Sequence, residues 1–197
     1  STTHLVNHIL TDAGYDVCYN ANGSNGVLAA TTLILNNCNL KGEFLHDVLL
    51  LECDERHLKL IFGKNKMTHL IVTNVTRDQP ARNGDPDIVF NDILKAIGKD
   101  TKLIINKDDP LVNRLSYLFD NEYVSYGVAK TNDSYLKSSI EAVDYAYCPK
   151  CHKKLQYEYY HYGHIGYYNC PNCDFKRGKV DYEVTNVDFK KHSIKIN

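Results

Sequence analysis

Leu70-Ile71-Val72-Thr73-Asn74-Val75 begins as an uninterrupted apolar run and passes into polar side chains. A run of this length, rich in β-branched residues, predicts a strand covered on both faces, as in a parallel sheet. The pattern recurs on either side, at Val48-Leu49-Leu50-Leu51 and at Leu103-Ile104-Ile105. Helical spacing fills the intervals. Leu5, Val6, Ile9 and Leu10 precede Gly14, and Leu28, Leu33, Ile34 and Leu35 follow a loop at 20–26. Further helices are predicted over 57–62, over 88–97 and from Pro110 onward. Short strands are expected at 15–19 and 123–126. Alternation at this rhythm predicts an α/β fold, a mostly parallel sheet with helices on both faces.

Composition narrows the function. The chain has 197 residues, 23 Lys+Arg against 24 Asp+Glu, and a formal charge of -1. Its 43% hydrophobic and 24% charged content is that of a folded globular protein, which excludes general disorder. That length suits one sizeable core and a small appendage. Near-neutral charge argues against a nucleic-acid binder driven by phosphate neutralisation, so no nucleic-acid partner is expected. No apolar run approaches the ~18 residues of a transmembrane helix. Ser1-Thr2-Thr3-His4 carries no basic leader, and a cytoplasmic location is expected.

The seven cysteines are unevenly placed. Cys18, Cys38 and Cys53 stand alone and are expected to behave as small buried thiols. Cys148, Cys151, Cys170 and Cys173 form two Cys-x-x-Cys pairs. Each pair offers two thiolates from one tight turn, and a hairpin between them would close a tetrahedral zinc site. Four thiolates leave no open position, so such an ion is structural.

Around this site the chain changes character. Thr131-Asn132-Asp133-Ser134 is a polar linker, and the rest is strand-rich and aromatic. Strands are predicted at 156–162 and 165–169, turning at Gly163-His164, with a terminal hairpin from 182–187 and 193–196. Tyr157, Tyr159, Tyr160, Tyr162, Tyr167 and Tyr168, with His161 and His164, could form a stacking surface for single strands. Alternate tyrosines also simply pack in strands. Lys150, Lys153, Lys154, Lys176, Arg177 and Lys179 make the module locally basic, the usual mark of a solvated face.

Ligands of an open parallel sheet bind beyond the carboxyl ends of its strands. Three polar motifs follow the buried strands: Glu52-Cys53-Asp54-Glu55, then Asn74-Val75-Thr76-Arg77-Asp78-Gln79, then Asn106-Lys107-Asp108-Asp109-Pro110. Carboxylates gathered on one sheet edge suit a Mg²⁺ that bridges phosphates. Each motif is also ordinary loop chemistry, and an Asp before Pro110 fits a helix cap. No G-x-x-x-x-G-K-[ST] loop is present, although Ser1-Thr2-Thr3 entering a helix matches the tail of one.

These motifs, with Arg82, Gly84, the 20–25 loop, the four cysteines, Lys176-Arg177 and Asp181-Tyr182, resemble the central ATP-binding domain of the Mur ligase family. The likeness is to its amidating branch, where a zinc ribbon is inserted in a P-loop NTPase-like domain. The resemblance implies an ATP-dependent carbon–nitrogen ligase of peptidoglycan biosynthesis. Such an enzyme phosphorylates the D-glutamate α-carboxylate of lipid II, and ammonia from a GatD-like glutaminase partner converts it to D-isoglutamine. It further implies Glu52 as a magnesium ligand. Ser1, Thr2, Thr3, Asn74, Gln79, Asn106, Asp108 and Asp109 fall on the nucleotide side, Gln79 acting through water. Residues 1–135 and 180–197 would form the nucleotide-binding domain and 140–180 the ribbon. The phosphate loop would be truncated and the family's C-terminal ligase domain missing, leaving these residues inactive alone. Two other readings stay open: a zinc-ribbon nucleic-acid binder on an α/β scaffold, and another Mur or folylpolyglutamate-type ligase.

Overall fold

The computed structural model describes residues 1–64, 66–76, 86–138 and 146–197. The chain divides into two compact units, Ser1–Lys66 with Asn91–Ala96, and Met67–Phe90 with Ile97–Asn197.

In the first unit, the Leu5/Val6/Ile9/Leu10 spacing forms α1 (Thr2–Asp12), which stops just before Gly14. Strand β1 (Val17–Tyr19) pairs in parallel with β2 (Val48–Leu50), and α2 (Val27–Asn36) lies in the crossover that a parallel pair requires. Helix α3 (Glu55–Ile61) follows, capped by the Asp54 side chain, which accepts from Arg56 N–H. Strand β2 departs from expectation. Its residues are only half-buried, because among the described residues it hydrogen-bonds to β1 alone.

The second unit carries a five-stranded sheet in the order β3 (His69–Val72), β4 (Lys102–Asn106), β5 (Tyr123–Val128), β8 (Tyr182–Asp188) and β9 (Ser193–Ile196). Strands β3, β4 and β5 run parallel, and Val72 aligns with Ile105 as Asn106 does with Tyr126. Helix α4 (Pro86–Ala96) lies between β3 and β4 in sequence, and its last six residues belong to the first unit. Two short helices, α5 (Pro110–Asn113) and α6 (Leu115–Leu118), connect β4 to β5. Leu70, Val72, Leu103, Ile105, Leu111, Val112 and Leu115 are buried, as the continuous apolar runs demand.

The chain then forms a separate antiparallel hairpin, β6 (Gln156–Tyr162) and β7 (Ile165–Asn169), within the bounds predicted. Its turn contains Gly163 at φ +54, a left-handed conformation that glycine adopts without strain. The terminal hairpin, β8 (Tyr182–Asp188) and β9 (Ser193–Ile196), joins the main sheet. Strand β8 pairs in parallel with β5, and β9 returns antiparallel at the edge. No helix among the described residues is long and apolar enough to cross a membrane.

Candidate functional site

Two of the three strand-end motifs interlock. The Asn106 side chain donates through Nδ2 to Thr73 O at 2.9 Å and accepts Asp108 N–H through Oδ1 at 3.0 Å. Asp109 Oδ2 accepts Val75 N–H at 2.8 Å. Its Oδ1 accepts Leu111 N–H at 2.8 Å and Val112 N–H at 3.3 Å, capping α5 with Pro110 at the first helical position. Segments 73–75 and 106–112 thereby become one hydrogen-bonded shelf at the carboxyl ends of β3 and β4, the classical ligand position of such sheets. Asn74 is exposed on it.

Neither aspartate of the third motif offers a free carboxylate to this shelf. Asp109 is fully buried and its oxygens are taken by three backbone amides. Asp108, also buried, accepts Val128 N–H at 2.7 Å and Arg177 Nε–H at 2.8 Å. The capping role that the Asp-Pro pair permits is the one realised for Asp109, because a carboxylate beside unpaired helix N–H groups satisfies them at short range.

Glu52 lies in the first unit, after β2, so it follows a strand of a different sheet from Asn74 and Asn106. The expectation of three motifs on one sheet edge holds for two. Asn20 organises the Glu52 turn: it donates to Glu52 O at 2.8 Å and Ser24 O at 2.9 Å and accepts Glu52 N–H at 2.8 Å. Asp54 N–H reaches Asn25 O at 3.1 Å. The 20–25 loop is therefore stapled to the post-β2 turn. Ser1 caps α1 without a side-chain hydrogen bond, and Thr2 and Thr3 begin that helix. Arg77, Asp78, Gln79, Arg82 and Gly84 lie outside the described residues.

The four paired cysteines converge. Their Sγ atoms all lie within 4.8 Å of one another, with Cys148–Cys173 at 3.6 Å and Cys151–Cys170 at 3.4 Å. A tetrahedral ion with Zn–S bonds of ~2.3 Å requires sulfurs ~3.8 Å apart, so the set fits one such ion. Lys150 N–H points to Cys148 Sγ and Asn172 N–H to Cys170 Sγ, both at 3.4 Å, orienting the sulfurs from within each turn. Cys148, Leu155, Tyr168, Cys170 and Phe175 make a small core around them. Of the lone cysteines only Cys18 is buried; Cys53 is half-buried, and burial pushes its thiol up to about 11.

The tyrosines mostly pack. Tyr159 and Tyr168 are buried, Tyr157 stacks on Tyr160 with centroids 4.2 Å apart, and of the six only Tyr162 is exposed. Arg177 overturns its expected place on a solvated face. It is 2% exposed and bound to Asp108, to Glu183 Oε1 at 2.8 Å and to Gly178 O at 3.0 Å, with Tyr167 beneath the guanidinium. Burial disfavours its charge, but the Asp108 and Glu183 carboxylates outweigh that and hold it cationic. Asn113 was not anticipated either: it donates to Tyr168 Oη and to Lys176 O, both at 2.9 Å. Nothing in sequence spacing distinguishes Arg177 or Asn113 from surface residues.

A parallel α/β sheet with a helix-capped strand-end shelf and an appended four-cysteine ribbon is a Mur-ligase-like architecture. A solved pseudomurein peptide ligase type C from Methanothermus fervidus shares this fold, with a TM-score of 0.66 over 99% of this chain and 39% of that one, at 22% identity. In sequence, the particular resemblance is to MurT. The MurT subunit of lipid II isoglutaminyl synthase (glutamine-hydrolyzing) from Staphylococcus aureus (strain COL) is 32% identical over 189 residues, 95% of this chain. The Streptococcus pneumoniae (strain ATCC BAA-255 / R6) subunit of the same name is 30% identical over 189 residues, 94% of this chain. The chain spans 41% of the length of these curated relatives. No protein-family model matches the sequence.

Proposed function

We propose that this chain is the nucleotide-handling part of an ATP-dependent amide ligase of peptidoglycan synthesis. The reading rests on the 32% identity to a MurT subunit along 95% of the chain. In it, ATP phosphorylates the D-glutamate α-carboxylate of lipid II, and ammonia from a GatD-like glutaminase displaces phosphate to leave D-isoglutamine. The reaction takes place in the cytoplasm.

Residues 1–135 and 180–197 form the nucleotide-binding body in this proposal, and 140–180 the inserted zinc ribbon. Asn74 and Asn106 border the nucleotide, while Asp108 and Asp109 act from behind by fixing the loop that follows Asn106. Ser1, Thr2 and Thr3 sit at the phosphate end, Gln79 acts through water, and Glu52 is the carboxylate assigned to Mg²⁺. Opposite charge at the metal offsets the repulsion between a triphosphate and a carboxylate as the phosphoryl group moves. Zn²⁺ on the four thiolates is structural, since its coordination is complete.

The test is glutamine-dependent amidation of lipid II by the intact protein co-expressed with its candidate glutaminase. Expected are an amidated product by mass spectrometry and one ADP released per amide formed. Addition of an amino acid in place of ammonia, or ATP-independent product, would overturn the reading.

A further inference from the structure

The ribbon grips the loop after β4 at several points. Tyr168, fully buried, donates from its hydroxyl to Lys107 O at 3.1 Å and accepts Asn113 Nδ2–H at 2.9 Å. Gly166 N–H donates to Asp108 O at 2.9 Å. Arg177 binds the Asp108 carboxylate, and Asn113 donates to Lys176 O. These contacts reach residues 107 and 108, immediately beside Asn106, and residue 113 at the end of α5.

The second cysteine pair lies between the two gripping arms. Tyr168 stands two residues before Cys170 and Arg177 four after Cys173. The arms are joined to each other by Arg177 N–H to Tyr168 O at 3.0 Å and by Cys170 N–H to Phe175 O at 2.8 Å. An ion held by the four sulfurs would close this knuckle and keep both arms in register. A module whose core is this small depends on its metal for that order.

We propose that metal occupancy of the four-cysteine centre sets the geometry of the loop after β4 and hence nucleotide affinity, with Tyr168 and Arg177 as the positioning residues. The affinity half rests on the reading above that Asn106 borders a nucleotide. The structural half, coupling of ribbon to loop, does not. Neither residue touches nucleotide in this proposal; each acts through the 107–109 backbone and the Asp108 carboxylate.

The experiment compares the intact zinc-loaded protein, the same protein after chelator treatment, the chelated protein with zinc restored, and zinc-loaded Tyr168→Phe. Hydrogen exchange reads the loop amides, and titration with Mg-ATP reads affinity. Chelation is expected to raise exchange at Leu111, Val112 and Val128 as well as in the ribbon, and zinc to reverse it. Tyr168→Phe keeps its zinc and is expected to weaken Mg-ATP about tenfold, the scale of one buried hydrogen bond. A merely structural tyrosine would lower the unfolding midpoint and leave affinity unmoved well below it. Two results overturn the proposal: ribbon amides that open while 107–113 stay protected, or unchanged Mg-ATP affinity in Tyr168→Phe. If the zinc-loaded parent binds no Mg-ATP, the nucleotide reading and the affinity claim fall together, and the exchange data alone decide the coupling.

Discussion

Arg177 Nε and Asp108 Oδ1 meet at 2.8 Å with their side chains 2% and 3% exposed, a nearly dry ion pair between the end of the ribbon and the loop after β4. Burial raises the Asp108 carboxyl, and Arg177 opposes it from one side while Val128 N–H does so from another. Such a pair adds little net stability when intact but costs much when one member is removed, because the other stays buried and uncompensated. Arg177→Met is therefore expected to lose about 3–5 kcal/mol in a urea melt. In an Asp108→Asn background the same change should cost at least ~1 kcal/mol less, since the two side chains are in contact. Equal costs in both backgrounds would refute the coupling.

Gly127 lies against this pair. A Cβ there would sit 2.5 Å from both Arg177 Nη2 and Asp108 Oδ1, and both of those side chains are buried. Gly127→Ala should destabilise by about 1–3 kcal/mol, as overpacking does, with the midpoint of thermal unfolding as the readout.

Asp109 caps α5 and also holds Val75 N–H. Asp109→Ala removes the cap, worth ~1 kcal/mol, and leaves a buried amide unpaired at ~1–3 kcal/mol. The expected loss in a denaturant titration is about 2–4 kcal/mol. Asp109→Asn, which keeps an acceptor oxygen, should recover part of it.

Metal content is directly measurable. Elemental analysis is expected to find one zinc per chain. Cys170→Ser should reduce it and expose the ribbon core of Leu155, Tyr168 and Phe175 to solvent, read as a change in tyrosine fluorescence. Full zinc retention with Cys170→Ser would refute the four-thiolate centre.

Asp181 Oδ2 accepts both Ser125 N–H at 2.7 Å and Ser125 Oγ–H at 2.6 Å, tying the approach to β8 onto β5. Those bonds, the side-chain one foremost, lower its pKa below the unfolded value of ~3.9. A carboxylate lowered in the fold contributes stability in full above the unfolded pKa and loses it as pH falls through the folded one. The stability gap between the parent protein and Asp181→Asn should thus be constant above about pH 5 and close below about pH 4. A gap that persists at pH 2 would show that the contribution is not ionic.

The elements that sequence made legible are those governed by local rules. The apolar runs at 70–72 and 103–105 became β3 and β4, and the Asp-Pro pair became the cap of α5. The alternating tyrosines became β6 and β7, and two Cys-x-x-Cys pairs converged. Strand β2 was less transparent: the same kind of apolar run came out half-buried, because burial depends on what pairs at its edges. Arg177 misled for a similar reason. A basic residue among lysines carries no local sign of being buried, since its partners, Asp108 and Glu183, are 69 and 6 residues away.

Periodicity, turn chemistry and thiolate spacing, all properties of a few adjacent residues, were enough to establish from the chain alone an α/β body and a four-cysteine module. They also marked polar residues at the strand ends, and two of those three motifs came together beyond one sheet edge. Only the folded molecule could decide that Asp108 and Asp109 turn inward and that the module is bolted to the loop beside Asn106. Those outcomes depend on contacts between distant segments, and a buried charge or hydroxyl is stable only where the tertiary fold supplies its partner.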